Sequence, residues 1–342
     1  PLPHVRGNTR IRHLLNHRSG LYDIFSSPGI ANTWFSDPDS VWDDRVLLTT
    51  FMQPPLFAEG AAFSYSNTNY LLLGMALEQI SGRSFAQLLR DSIFVPYGMQ
   101  NSFLPPNDSI AGFVVSAWTR WGSTGPYDQS ANIMLNPCFA SMGQAAGSLV
   151  ALPAEVSAFN RLLYTGQFIP DSLLNVMMTC TNVSFSDGCN GYGHGAMRYT
   201  YSGKYFFGHS GDINGFTTQS IHQREDSITL SLSINRDRAP RGTVSAALIS
   251  AYYANRAVSV TEPTLLHMQL FPNPVNSQLF IRSGDQKTPI SWQLIDMQGR
   301  EQKSGRLETG AGEVRLDELS AGIYFIALKQ GQQQWVRKIS KL

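Results

Sequence analysis

The chain has 342 residues, long enough for two domains and a sizeable core. Its net charge is +1 and only 15% of its residues are charged, against roughly 25% in an average soluble protein. That balance gives no electrostatic footprint for nucleic acid or an anionic membrane surface, and no apolar run approaches the roughly 20 residues of a transmembrane segment. Polarity is carried instead by Ser, Thr, Asn and Gln, as in many exported proteins. The cysteines, Cys138, Cys180 and Cys189, are odd in number and lack CxxC spacing, which argues against a zinc site or a disulfide framework. Cys180 and Cys189 either close one short loop in an oxidising compartment or stand unpaired.

In chain order, His13 and His17 stand four apart, which places them on one face of a helix. Leu14, not Glu, follows His13, so the HExxH zinc pattern is not met and no metal is expected; core packing or capping accounts for the pair. After Tyr65, the residues Leu71, Leu72, Met75 and Ile80 recur at helical spacing until Ser81-Gly82. Phe85, Leu88, Leu89 and Ile93 form a second amphipathic helix that ends before Pro96. Residues 101–145 are rich in Pro, Gly, Asn and Ser and read as long ordered loops over a site. A helix over Ala154–Leu163 precedes antiparallel strands at Tyr199–Tyr201, Tyr205–Gly208, Gly215–His222 and Ser227–Ile234, and Val244–Ala254 is a closing helix. The first domain thus spans residues 1–256, with a linker at 257–267. Residues 268–342 are all β, with strands at Gln278–Arg282, Ser291–Asp296, Glu313–Leu316, Gly322–Leu328 and Gln334–Ile339.

Two short runs carry the chemistry. Tyr65 and Asn67, two apart, offer a phenol that can shuttle a proton and an amide that can orient a substrate. Gly208-His209-Ser210-Gly211 sets a ring donor, a hydroxyl and a glycine in a row, which suits an edge strand that a substrate backbone approaches closely. In this order the runs resemble the Tyr-x-Asn and Lys/His-Thr/Ser-Gly motifs of the penicillin-recognising serine hydrolases, the class C β-lactamase and D,D-peptidase family. The segment from Ile11 to Leu21, the turn Pro96-Tyr97-Gly98-Met99, the run Ala145–Val150, Gly215-Phe216 and Asn235 extend the likeness. Tyr97 and Leu152-Pro153 depart from the family pattern without touching its chemistry. In the same way, Leu270-Phe271-Pro272-Asn273-Pro274, the turn at Asp296–Arg300, Leu319–Tyr324 and Val336–Ile339 resemble the type IX secretion C-terminal sorting domain. That family addresses proteins across the outer membrane of Bacteroidota; a carbohydrate-binding or adhesive module is the alternative.

The resemblance implies an α+β, β-lactamase/transpeptidase-like fold, an antiparallel sheet flanked by helices with its N-terminal part missing, followed by a small immunoglobulin-like sandwich. It implies a secreted or surface-held hydrolase of small acyl or peptide substrates (D-amino-acid peptides, esters or β-lactams) that works through an acyl-enzyme without a cofactor, and that meets the type IX machinery through its tail. Tyr65 would be the phenolate base, Asn67 the holder of the substrate carbonyl, and His209 a carboxylate contact or a polariser of the tyrosine. Ser210 would bond the substrate, Gly211 keep the strand open, and the Asp212 N–H supply one oxyanion donor. Tyr22, Trp34, Trp118, Trp121 and Tyr127 line the cleft or pack the loops.

The family's Ser-x-x-Lys nucleophile motif is not in these residues. Lys204, Lys287, Lys303, Lys329, Lys338 and Lys341 follow Tyr201, Gly284, Arg300, Ile326, Trp335 and Lys338 at the required distance. A tyrosine with a free pKa of about 10 is a poor base at neutral pH unless a cation lies within about 4–6 Å. The start at Pro1, without an initiator methionine or signal peptide, leads us to expect a sequence cut ahead of its nucleophile, and this chain alone to be inactive. The rival expectation is a non-catalytic protein that keeps the cleft to bind peptidoglycan fragments.

Overall fold

The computed structural model describes residues 2–111, 114–119, 136–213, 215–258, 268–296, 299–331 and 333–342. They fall into two units, Pro1–Tyr253 and Ala254–Leu342. The first opens with turns over residues 2–10 and three short helices, α1 (Ile11–Leu15), α2 (Ile30–Ser36) and α3 (Asp44–Phe51). The Asp43 carboxylate caps α3 by accepting the Arg45 and Val46 amides at 2.9 and 3.0 Å.

α4 (Asn67–Ser81) buries Leu71 and Leu72 against Leu14, Leu21, Ile24, Leu47 and Leu48. Each such leucine contributes about 1.5–3 kcal/mol of transfer free energy. Gly82 ends α4 at a φ of 67°, a left-handed cap that costs glycine nothing. A Ser84–Gln87 capping box then opens α5 (Phe85–Leu89), which runs through a π-helical turn at Arg90–Phe94 and stops short of Pro96. Next come α6 (Pro137–Gly143), α7 (Pro153–Tyr164) and α8 (Asp171–Met178).

Five antiparallel strands follow in a plain meander: β1 (Cys189–Tyr192), β2 (Met197–Tyr201), β3 (Lys204–Ile213), β4 (Phe216–Gln223) and β5 (Ile228–Ile234). α9 (Arg241–Val258) comes after them. Successive residues of β4 assign the two faces of the sheet. Ser220 accepts from Asn160 of α7 at 2.6 Å, whereas Gln219 accepts from Ser245 of α9 at 2.5 Å. The α7 face packs Phe207 against Leu163, Tyr164 and Leu174. The α9 face packs Tyr199, Phe206 and Ile221 with Ile249.

Register then places the motif of β3. His209 pairs with Ser220 and shares the α7 face; Ser210 pairs with Gln219 and shares the α9 face. β2 ends at Met197 opposite Gly208, so among the described residues no strand pairs with His209–Ile213 on that side. β3 is therefore not the edge strand expected at Gly208–Gly211: it is the middle strand of the sheet, Gly208 is paired on both sides, and only the part from His209 to Ile213 is open on the β2 side.

From Gln269 onward the described residues of the second unit form only strands and turns. A three-stranded sheet, β6 (Gln269–Phe271), β7 (Gln278–Arg282) and β10 (Ala311–Arg315), and a four-stranded sheet, β8 (Ile290–Asp296), β9 (Glu301–Leu307), β11 (Gly322–Gln330) and β12 (Gln333–Lys341), close on one core. Leu279, Ile281 and Val314 come from one sheet, and Trp292, Leu294, Ile326 and Leu328 from the other. Strand β8 alternates buried and outward residues, the pattern of a sandwich strand. This is the sandwich the sequence predicts.

Several local expectations need correction. The segment 101–145 holds α6, where only loops were expected. α1 stops at Leu15 and His17 takes a φ of 53°, so His13 and His17 do not share a helix face. Of the two alternatives for Cys180 and Cys189 the structure has the unpaired one, and Cys138 is free as well. α9 runs to Val258, into the expected linker, whose residues 259–267 lie outside the described ones, as do Trp121, Tyr127 and Met297-Gln298 of the expected turn. No described helix is long and apolar enough to cross a membrane, and no described cluster of His, Cys, Asp and Glu could hold a metal ion.

Candidate active site

Tyr65 stands just ahead of α4, in a turn fixed from both sides. The Asp23 carboxylate accepts the Asn67 backbone N–H at 3.1 Å and its side-chain Nδ2 at 3.2 Å, placing a negative charge at the positive end of the helix. Thr68 completes the junction, donating to the Tyr22 carbonyl at 2.7 Å and accepting the Ile24 N–H at 3.0 Å. Burial raises the Asp23 pKa, and the bonds from Asn67 oppose that rise. The amide expected to hold a substrate carbonyl is therefore engaged with Asp23.

The Tyr65 ring lies on His17, with ring centroids 4.1 Å apart and planes 32° apart, and 6.2 Å from the ring of His209. Tyr65 and His209 are thus brought together, along with His17, which its spacing had assigned to core packing or capping, and Tyr192, which the sequence did not single out. His17, wholly buried, reaches the Tyr192 hydroxyl at 3.0 Å, and that hydroxyl reaches His209 Nε2 at 3.1 Å. The other ring nitrogen of His209 lies 2.6 Å from the Ser210 carbonyl, so both of its nitrogens are occupied. Burial, with a contribution from His209, pulls the His17 pKa down to about 3.

Electrostatics leave Tyr65 a phenol. Burial raises its pKa, Tyr70 and Asp23 add to the rise, and no described cation offsets them. Burial pushes Tyr70 up to about 12.

Ser210 and Asp212 belong to a separate network on the α9 face. Arg241 spans the Asp187 carboxylate, from its NH2 group at 3.0 Å, and the Asp212 carboxylate, from NH1 at 2.5 Å. Asp187 also accepts the Tyr199 hydroxyl at 3.0 Å and the Cys189 N–H at 3.1 Å, and the Ser210 hydroxyl on the same face donates to Met197 Sδ at 3.3 Å. Burial works against the charge on Asp187, but those hydrogen bonds and Arg241 hold its carboxyl below the ordinary range. An ion pair this buried stays favourable because its lone pairs are met. Gly211 lies between the two groups, and a Cβ there would meet the Thr218 hydroxyl at 2.6 Å.

Of the aromatic residues expected at the cleft, Tyr22 donates to the Ser26 carbonyl at 3.1 Å, and Trp118 is 40% exposed. A concavity of about 530 Å³ lies elsewhere, bordered by Trp42, Asp44, Glu78 and Gln144; neither Tyr65 nor His209 lines it.

The helical layers, the antiparallel meander and the paired Tyr-x-Asn and His-Ser-Gly segments define a β-lactamase/transpeptidase-like fold. The chain belongs to the β-lactamase family, whose model matches residues 2–254. Residues 269–341 match the secretion system C-terminal sorting domain, which marks an exported protein, secreted or held at the cell surface. The chain is similar to a D-aminopeptidase of Gluconobacter oxydans, 24% identical over 335 residues that cover 94% of this chain. It spans 60% of the length of that relative. Among solved structures it is similar to a D-stereospecific amidohydrolase from Streptomyces sp., with a TM-score of 0.63 and 28% identity over 71% of this chain and 75% of the other. The D-amino acid amidase from Ochrobactrum anthropi SV3, solved with D-phenylalanine, shares the fold at a TM-score of 0.63 and 23% identity over 72% of this chain and 73% of the other.

Proposed function

We propose that this chain carries the second and third motifs of a serine acyl hydrolase acting on small amide or ester compounds, D-amino-acid amides and peptides foremost. The observation that carries this reading is the meeting of Tyr65, at the head of α4, with His209, on the open edge of β3. The names of the D-aminopeptidase and the D-stereospecific amidohydrolase support the choice of substrate.

In this reading a serine Oγ attacks the carbonyl carbon while its proton passes to the Tyr65 phenolate. The tetrahedral adduct collapses, the bond to nitrogen or oxygen breaks, and the phenol returns the proton to the leaving amine or alcohol. Water then adds to the acyl-serine through the same exchange and frees the acid. With Nδ2 on Asp23, Asn67 turns its amide oxygen to a substrate N–H. The substrate lies along the edge at Ser210 and Gly211, with the Asp212 N–H facing its oxyanion. Burial keeps Tyr65 protonated unless a cation faces it, so this reading requires a serine paired with a lysine, which these 342 residues do not contain as Ser-x-x-Lys. That no cation among the described residues acts on Tyr65 also favours a second reading, a non-catalytic cleft that holds peptidoglycan fragments.

Intact-mass analysis with a D-amino-acid ester and a fluorescent penicillin separates the two. The chain by itself forms no adduct. The longer product of the gene, read upstream of Pro1, forms one on the serine of a Ser-x-x-Lys. In that product Tyr65→Phe lowers acylation by about 10²–10⁴-fold while ground-state binding is kept. Near-wild-type turnover would remove Tyr65 from the mechanism, an adduct on Ser66 of this chain would reassign the nucleophile, and an upstream frame without the motif would favour the binding protein.

A further inference from the structure

The hydrogen bonds around His17 and His209 fix where each proton sits, because a backbone group of one polarity closes each end of the chain. The Ser210 carbonyl, 2.6 Å from His209 Nδ1, only accepts, so Nδ1 carries a hydrogen. At the other end the Ser66 N–H, 3.1 Å from His17 Nδ1, only donates, so that nitrogen holds a lone pair. Asn69 agrees: its Oδ1 takes the Ser19 hydroxyl at 2.6 Å, which leaves its Nδ2 to donate to His17 Nδ1 at 3.0 Å. A neutral His17 then donates from Nε2 to the Tyr192 oxygen at 3.0 Å, and Tyr192 passes its own hydrogen to His209 Nε2 at 3.1 Å. Read from either end, the order is the same.

We propose that Tyr192, backed by His17, is a positioning residue that holds His209 as the neutral Nδ1–H imidazole with its Nε2 covered, so that the third motif of this chain presents no cation to a substrate. The inference rests on the acyl-hydrolase reading in placing His209 at a substrate site; the proton order does not. A substrate group that meets His209 is then an uncharged amide or ester rather than a free carboxylate.

A second proton on His209 has to enter at Nε2 and turn the Tyr192 hydroxyl away. Turning it toward His17 requires a lone pair on Nε2 and hence a hydrogen on Nδ1, against the Ser66 N–H. The Tyr70 hydroxyl is itself engaged, donating to the Leu15 carbonyl at 3.0 Å. The charged groups acting on His209 are Asp187, ahead of β1, and Arg241 of α9, and they oppose one another. Tyr65 faces it as an uncharged phenol. Burial, with Arg241, lowers the His209 pKa against the Ser210 carbonyl and Asp187.

Long-range ¹H–¹⁵N spectra of the histidine-labelled chain test the assignment. The expected result is an Nδ1–H pattern for His209, an Nε2–H pattern for His17, and no titration of either across about pH 5.5–7.5, where a free imidazole changes charge. In Tyr192→Phe the His209 midpoint rises by about one unit or more. Below that midpoint D-phenylalanine gains about tenfold in binding relative to D-phenylalanine amide. His17→Gln, which keeps an N–H toward Tyr192, retains the His209 pattern, and His17→Leu loses it. A cationic or Nε2–H His209 in the wild-type chain at pH 7 overturns the proposal, as does an unchanged His209 midpoint in Tyr192→Phe. The assigned pattern with neither ligand bound, by this chain or by a product of the gene that carries Ser-x-x-Lys, upholds the positioning role and removes the acyl-hydrolase reading instead.

Discussion

Asp44 carries a charge that its surroundings do not support. Its Oδ1 is buried without a partner among the described residues, and Glu78 and Asp43 lie close enough to repel it. Burial first, and those two carboxylates next, raise its pKa to about 7. A carboxyl whose folded-state pKa is raised contributes stability that is whole below its unfolded pKa, about 4, and is lost as pH rises through 7. Asp44→Asn should therefore stabilise the chain by about 1–3 kcal/mol at pH 8 and change little at pH 4. Urea midpoints at the two pH values decide it, and an equal shift at both would assign the effect to packing rather than charge. His17 and His222 have the reverse sign, since burial lowers them to about 3 and about 4. Their contribution is lost as pH falls below the unfolded value, about 6.5.

At the scale of elements, β3 is tied to β4 by a glycine that has no room for a side chain. A Cβ on Gly208 would run into the Ser220 carbonyl and stand 2.7 Å from Ile221 Cα, both backbone atoms that a rotamer change cannot move. Gly208→Ala should cost about 1–3 kcal/mol, and by spreading β3 from β4 it should displace His209 from Tyr192. Thermal unfolding together with the His209 ¹⁵N pattern checks both parts; a destabilised variant with His209 unmoved would uncouple them. β3, β4 and β5 were legible in the sequence because their residues alternate or are branched and aromatic, and α4 because its leucines recur until a terminal glycine. β1 was not, because Cys189-Asn190-Gly191-Tyr192 reads as a turn, nor β9, whose polar residues are mostly exposed and show no buried face. α6 is short and bounded by Pro137 and Gly143, which read as punctuation. The site was half legible. Tyr65 and His209 lie in recognisable triplets, whereas His17 meets Tyr192 across a separation of 175 residues that no local pattern announces. Local spacing also assigned His17 to a helix, and its left-handed φ of 53° is what turns the ring under Tyr65 instead.

On the scale of the whole chain, each unit closes its core from its own residues. The sandwich core is built from Val275, Leu279, Ile281, Trp292, Leu294, Ile326 and their neighbours, all within Ala254–Leu342. The cores under α4 and against the five-stranded sheet are built from residues of Pro1–Tyr253. A cavity made in one core removes packing only from the atoms that lined it, so its cost belongs to that unit. Ile326 of β11 is fully buried, and Ile326→Ala should weaken the sandwich by about 2–5 kcal/mol. Calorimetry of the full chain should then show one transition moving down, with the transition of the β-lactamase-family unit in place and the His17–Tyr192–His209 pattern unchanged. Conversely, Leu71→Ala, in the core beneath α4, should lower the other transition and loosen the turn that holds Tyr65. The two variants are informative as a pair. If either one moves both transitions by similar amounts, the units fold as one cooperative body and the division into a site-bearing unit and a sorting tail fails at the level of stability.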